Sequence, residues 1–337
     1  MAQKRSEGTT TTTRLVTHSA PNLQPPPWSA LALIALESMI ASHATALIEL
    51  GLQVQRGRAG TYITLDFVLV LMTFALSFEP NLKTFYARLP PVADAFAALG
   101  NKTTLCSRAA LGRFLQALQR SHVALLATMM LDDLIRLGVW DDSLGHFDRC
   151  GHRTLIFDGD GTYHGARERA ITEEASRPAL KRRTEAAFKP GYRGRKRAEV
   201  IRNRMTLQFS HTQEWLGCWS APGNGDLLGH LVATCEAMIR YLTAHAVPLA
   251  QGLLRLDGAY GTVGPVWTIT NRGLGYVTRC ADYRLLKRHA VQQVLLQAPE
   301  AIFTQLDTGT VRQVWQVPEV LWSSTRNPVQ RLTTRLI

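Results

Sequence analysis

Cysteine is scarce and scattered in this chain of 337 residues. The five cysteines (Cys106, Cys150, Cys218, Cys235 and Cys280) never approach a Cys-x-x-Cys spacing, and their number is odd. This argues against a zinc ribbon, a dithiol redox motif and a disulfide framework. Reduced thiols in a cytosolic compartment are expected instead. Long apolar runs are also lacking. The most hydrophobic window, Phe67 to Phe78, is too short to span a bilayer and is flanked by Asp66 and Glu79, so a buried helix is expected and a membrane partner is not. Lys4 and Arg5 run into Ser, Gly and a Thr tract rather than an apolar stretch, which argues against a secretory signal. Acidic residues are outnumbered: 26 Asp and Glu face 38 Lys and Arg, leaving a net charge of +12. Such an excess favours a polyanionic partner, with nucleic acid ahead of an anionic membrane.

What is present suffices for two domains. Residues 1–27 are rich in Thr, Ser and Pro and end in Pro25-Pro26-Pro27, the composition of a disordered tail. From Trp28 to about residue 150, Ala, Leu and Met recur at helical spacing, with breaks near Gly57–Gly60, at Pro90-Pro91 and at Gly100-Asn101. This predicts a helical N-terminal domain with a possible role in DNA binding. Within it, Thr103 to Leu118 reads as a capped amphipathic helix, either a core helix or one arm of a helix-turn-helix.

The pattern changes near residue 150. Thr154–Phe157 is apolar and reads as a strand, and Met205–Ser210 with Glu214–Trp219 reads as a hairpin. Pro222-Gly223-Asn224-Gly225-Asp226 is a turn that caps the next helix, Leu227–Ala246, whose apolar face carries Leu228, Leu231, Val232, Cys235, Met238, Ile239 and Leu242. A strand at Leu253–Leu256, a helix at Val266–Asn271 and a strand at Gly275–Thr278 follow, and Ile302–Trp322 reads as an added β-hairpin. The order predicts a mixed sheet with helices on its faces, an α/β core over residues 151–300.

Two strands end in acids. Leu155-Ile156-Phe157 runs into Asp158-Gly159-Asp160-Gly161-Thr162, and Leu253-Leu254-Arg255-Leu256 runs into Asp257-Gly258. Carboxylates fixed on neighbouring strands repel one another unless a cation lies between them, so Asp160 and Asp257 are the expected ligands of Mg²⁺ or Mn²⁺. Asp158 alternates onto the same face as Asp160 and is a candidate helper ligand. The competing reading is that Asp-Gly simply turns the chain after each strand. Between the two motifs, Arg182, Arg183, Arg193, Arg195, Lys196 and Arg197 head a run of basic residues, with Gly191 and Gly194 letting the chain bend. Such a run can neutralise phosphates and bind DNA without regard to sequence. Trp315 and Trp322 suit either hairpin packing or stacking on an unpaired base.

Four blocks in this order resemble the DDE transposases of bacterial insertion sequences. They are Phe157-Asp158-Gly159-Asp160-Gly161-Thr162, Pro190-Gly191-Tyr192-Arg193-Gly194-Arg195-Lys196-Arg197, Ala221-Pro222-Gly223-Asn224-Gly225-Asp226 and Arg255-Leu256-Asp257-Gly258-Ala259-Tyr260-Gly261. The likeness covers residues 100–337. It implies an RNase H-like core with a partial β insertion over residues 301–337. It makes Asp160 the first catalytic carboxylate and Asp257 the second. The implied chemistry is attack on a DNA phosphodiester, first by water and then by the freed 3′-hydroxyl, at paired Mg²⁺ ions. The implied partners are double-stranded DNA, as transposon ends and target, and a second copy in a homodimer. The implied location is the bacterial cytoplasm, at the nucleoid.

The third carboxylate of that family is a Glu in a Tyr-Arg-Glu-Lys-type helix. Here only Glu300 and Glu319 follow Asp257, neither in that context. A chain truncated before its last ligand, and so catalytically silent by itself, is the expectation. Two rivals stand beside it. Asp158-Gly159-Asp160-Gly161-Thr162 is also similar to the first motif of haloacid-dehalogenase-type phosphatases, whose sheet around that motif is all-parallel. The other rival is a DNA-binding remnant without chemistry.

Overall fold

The computed structural model describes residues 25–41, 54, 60–148, 150–165, 189–191, 199–325, 327 and 329–337. The expected tail lies almost wholly outside them, as does the basic run from Arg182 through Arg197. The chain forms two compact units that divide between His122 and Val123, not near residue 150 where composition changes. The reason is packing: Leu131, Leu134 and Ile135, from a helix predicted to belong with the N-terminal part, lie in the core of the second unit.

The first unit is helical, with α1 (Ser29–Ala41), α2 (Thr64–Leu76), α3 (Leu82–Arg88), α4 (Ala93–Leu99) and α5 (Arg108–Ala117). Helix α2 is the expected buried helix: Phe67, Val68, Leu69 and Val70 are buried, and the Asp66 carboxylate accepts from the Ile63 amide at 2.7 Å to close the first turn. Among the described residues no helix is long and apolar enough to cross a membrane. Pro90-Pro91 separates α3 from α4 through a short 3₁₀ turn. Helix α5 is capped by Ser107, which accepts from the Ala110 amide at 3.2 Å, and it buries Leu111 and Phe114. Phe114 stacks on Phe67 with ring centroids 4.5 Å apart. The apolar face of α5 is therefore spent on the core of its own unit.

The second unit is mixed α/β, as expected. It starts within the first turn of α6 (Arg120–Leu137) and builds a sheet from β1 (His146–Phe147), β2 (Arg153–Gly165), β3 (Lys189–Gly191), β4 (Glu199–Phe209), β5 (Glu214–Pro222), β6 (Gly252–Leu256) and β7 (Gly275–Thr278). β4 lies antiparallel to β2, and β5 and β3 follow one another along the far edge of β4, both antiparallel to it. On the other side of β2, β6 and then β7 run parallel to it. The parallel crossovers are made by α7 (Leu227–Ala244) and α8 (Val263–Thr270). One sheet face carries Leu155, Phe157, Met205, Leu207, Phe209, Leu254 and Leu256, and it packs in one core with Leu231, Cys235, Met238 and Leu242 of α7. The opposite face bears the polar residues that alternate with these.

Beyond β7 lies α9 (His289–Leu295), then β8 (Ala301–Thr304), β9 (Val311–Val314), β10 (Val317–Ser323) and β11 (Arg331–Leu336). The span Ile302–Trp322, predicted as a single hairpin, holds one whole hairpin, β8 paired with β9, and the first strand of a second, β10 paired with β11. Asp307-Thr308-Gly309 turns the first hairpin, as its sequence suggests. Trp322 is buried with Val263, Val266, Leu285, Val317 and Val320, and its indole donates to Asp282 at 3.0 Å. The bidentate grip of Arg284, then the Trp322 bond, hold the Asp282 carboxyl down at about 2. Trp315 donates to the Gln297 carbonyl at 3.0 Å. Both tryptophans thus serve packing and hairpin anchoring.

Candidate active site

The acids of the first motif do not sit at a strand tip. β2 continues through Asp158, Asp160 and Thr162 to Gly165, paired with β4 along most of its length. Gly159 does not break the strand, because it is paired on both sides, with Leu207 of β4 and Leu256 of β6, and it is buried under their neighbours: a Cβ there would push on Leu256 Cδ2 at 2.6 Å and Met205 Cε at 2.8 Å. The Asp-Gly turn reading therefore fails for Asp158 and Asp160. Strand alternation puts Leu155, Phe157 and Gly159 on the core face and Asp158 and Asp160 on the polar one.

Asp257 does mark a strand end. It follows the last residue of β6, and its Oδ1 accepts from the Ala259 amide at 3.0 Å to cap a 3₁₀ turn over Gly258–Tyr260. The Thr278 hydroxyl donates to its carbonyl at 2.7 Å. The turn is pinned from below. The Tyr260 ring is buried with its hydroxyl 3.0 Å from Met205 Sδ. Gly261 passes so close to β7's end that a Cβ would lie 1.9 Å from the Arg279 carbonyl oxygen.

The parallel register joins the two motifs. Gly159 pairs with Leu256, so the next residue on each strand, Asp160 on β2 and Asp257 after β6, stand side by side. Neighbouring strands lie about 4.8 Å apart. Both aspartates are exposed. Their side-chain hydrogen-bond partners are neutral: Thr162 donates its hydroxyl to Asp160 Oδ2 at 3.0 Å, and Asp257 takes the Ala259 amide. Among the described residues neither has a cation within ion-pair distance. Burial first, then the Asp257 charge, with smaller contributions from Tyr163 and Asp160, pushes the Tyr260 phenol above its ordinary range. That one ring feels both carboxylates. Two hard oxygen donors with lone pairs to spare suit Mg²⁺ or Mn²⁺.

Asp158 is differently engaged. It lies directly opposite Arg255 in the parallel pair, and Arg255 grips it with Nε–Oδ1 at 2.5 Å and Nη2–Oδ2 at 2.8 Å. The Ser210 hydroxyl donates to the same carboxylate at 2.5 Å. Burial raises the carboxyl, but Arg255 and Ser210 together more than offset it, and the group is held below the ordinary carboxylate range. His211 stands beside them, its Nε2 accepting from the Ile156 amide at 3.1 Å. Sequence reasoning assigned no role to Arg255, Ser210 or His211. The one available signal was the spacing of Arg255 two residues before Asp257, which puts both on one strand face.

The same face continues onto β4. Thr206 lies opposite Asp160, Arg204 opposite Thr162, and Arg202 opposite His164. These add positive charge beside the carboxylates. Arg182, Arg183, Arg193, Arg195, Lys196 and Arg197 are outside the described residues. Of the two later glutamates, Glu300 accepts from the Gln316 amide at 3.1 Å and so serves the hairpin region, and Glu319 lies within β10.

A second group of ligand-type side chains is Asp148, Cys150 and His152, all exposed, with ligand atoms within 4.8 Å of one another. Its geometry is that of a turn: Asp148 Oδ1 accepts from both the Cys150 and His152 amides at 2.8 Å, and Oδ2 meets the His152 ring at 2.9 Å. Compared with models of known families the sequence finds no match, and no curated protein is detectably similar to it, so the reading of this site rests on its own residues.

Proposed function

We propose that this protein is built as a DDE transposase, with Asp160 and Asp257 as the paired carboxylates that hold Mg²⁺ or Mn²⁺, and that it lacks a glutamate after Asp257 in the context of that family's third carboxylate. The observation that carries the reading is the register Gly159–Leu256, which aligns two acids 97 residues apart on one sheet face. The strand order adds support. An antiparallel β5-β4-β2 meander followed by parallel β6 and β7 is the order an RNase H-like core requires. It departs from the all-parallel sheet that a haloacid-dehalogenase-type phosphatase would need around Asp158. In that rival reading Asp158 is also the nucleophile, whereas here its carboxylate is committed to Arg255 and Ser210.

A divalent ion bound at the pair would supply Lewis-acid stabilisation of phosphate oxygens and an activated water. The chain's own residues do the rest. The β2 ladder and the Asp257-capped turn fix the two carboxylates so that little reorganisation is needed on binding. Arg202 and Arg204 lie on the same face, where a phosphate backbone approaching the carboxylates would meet positive charge. Thr162 orients Asp160.

The test combines Mn²⁺ binding, DNA binding and strand scission on duplex DNA taken from the flanks of the reading frame. Glu300 serves the hairpin region and Glu319 lies within β10, so no third carboxylate joins the pair among the described residues, and the chain by itself is expected to bind duplex DNA and Mn²⁺ without robust scission. Mn²⁺ binding is expected to be lost in Asp160→Asn and in Asp257→Asn, while DNA binding by both variants persists. Mn²⁺ binding that survives both substitutions would sink the metal pair, and robust metal-dependent scission by the unsubstituted chain would overturn its expected silence.

A further inference from the structure

We propose that Asp158 is a positioning residue: it holds the Arg255 guanidinium away from Asp160 and Asp257 and so keeps that pair open to a divalent cation. The inference rests on the reading of Asp160 and Asp257 as the metal pair.

Arg255 is a cation well placed to spoil such a site. It precedes Asp257 by two residues on the same strand face, a rise of about 6.6 Å, and it lies diagonally across from Asp160. An arginine stem reaches that far. Its side chain is 57% exposed, so packing does not fix it. Among the described residues its only hydrogen-bonding and ion-pair partner is Asp158, which meets both Nε and Nη2. The planar fork matches a carboxylate in two parallel bonds, and that match sets direction as well as strength. Ser210 completes the device by tying the second Asp158 oxygen, which stops the carboxylate from rotating out of the fork.

Without Asp158, the acids that the strand register leaves beside Arg255 on that face are Asp160 and Asp257. A guanidinium paired with them would neutralise the site and compete with Mg²⁺. A carboxylate that touches no metal would then govern metal affinity through its neighbour, as outer-shell groups at metal sites do. Merely stitching β2 to β6 would instead give Asp158 an effect on stability alone.

The experiment measures Mn²⁺ affinity of the full chain by the loss of the free-ion electron paramagnetic resonance signal. Asp158→Asn is expected to weaken binding by about 10- to 100-fold. Arg255→Gln is expected to bind at least as tightly as the unsubstituted protein. The double variant Asp158→Asn/Arg255→Gln, which has the same net charge as the unsubstituted chain, is expected to regain its affinity. Unchanged affinity in Asp158→Asn, or a double variant as weak as Asp158→Asn, overturns the proposal while leaving the metal pair standing. If the unsubstituted protein's Mn²⁺ binding is absent, or is indifferent to Asp160→Asn and Asp257→Asn, the metal pair falls and the proposal with it. Should Asp158→Asn fail to fold, Ser210→Ala replaces it: a several-fold weaker affinity supports the proposal, and an unchanged one overturns it.

Discussion

Three histidines of the second unit, His211, His230 and His245, are each held below the ordinary imidazole range, with burial the first cause in every case. For two of them the geometry explains why. His230 Nδ1 and His245 Nε2 are buried with no hydrogen-bond partner among the described residues, so a proton added there would have no acceptor. His245 also stacks on Trp140, with ring centroids 4.0 Å apart and planes 4° from parallel. The sign of the linkage follows. A depressed folded-state value means that the unfolded chain takes up protons first, so the stability these rings permit is complete above about pH 6.5 and declines as pH falls below it. This is the reverse of a histidine that gains an acidic partner on folding. Urea midpoints measured from pH 8 to pH 5 are expected to fall through that window. His245→Phe keeps a ring against Trp140 but cannot take a proton, and it is expected to flatten part of the slope. A midpoint constant from pH 8 to pH 5 would show that these rings do not titrate with folding.

Helix α7 shows how far an element can be read from its residues. Asp226 was expected to cap it, and the Asp226 Oδ1 accepts from the Gly229 amide at 2.8 Å. The apolar face was read too broadly: Leu231, Cys235, Met238 and Leu242 are buried against the sheet, but Leu228 is exposed, and the true face also takes in His230, Thr234 and Tyr241. Polar residues can enter a core face when their bonds are met locally, as the Thr234 hydroxyl is by the His230 carbonyl at 2.8 Å. Asp226→Ala removes the cap and should cost about 1 kcal/mol. That corresponds to a fall of about 2–4 °C in the melting temperature for a unit of this size, while Asp226→Asn or Asp226→Ser should restore most of it. Strand β2 was less legible. Glycines at 159 and 161 and acids at 158 and 160 look like a terminus, and only the ladder to β4, which runs from Phe157 to Gly165, explains why the strand runs on. The Asp158–Arg255 pair was not legible at all. Alternation tells which residues share a face within one strand, but the pairing register of strands 97 residues apart is decided by packing of the whole sheet.

At the scale of the molecule the excess of 38 basic over 26 acidic residues has to be set against a site built on carboxylates. Asp160 and Asp257 would repel a phosphate backbone, so a polyanion must be drawn in by charge placed elsewhere. Arg202 and Arg204 lie on the site's own face, and the sequence adds Arg193, Arg195, Lys196 and Arg197 in one short stretch. If this positive charge is what binds DNA, affinity must fall steeply with salt, because each phosphate neutralised releases condensed counterions and contributes about 0.9 to the slope of log K against log salt. Replacing Arg193, Arg195, Lys196 and Arg197 together by Ala is expected to weaken duplex binding equally for unrelated sequences and to reduce that slope by about 3–4. Asp160→Asn is expected to move affinity in the opposite direction, slightly tighter in metal-free buffer, because it removes a negative charge from the path of the backbone. Fluorescence anisotropy titrations from about 50 to about 300 mM salt, a range that brackets the physiological 0.15 M, measure both effects. A slope unaltered by the four-residue substitution would place the DNA-binding charge on another surface, and the case for Arg202 and Arg204 as its nearest part would then have to stand on their own substitution.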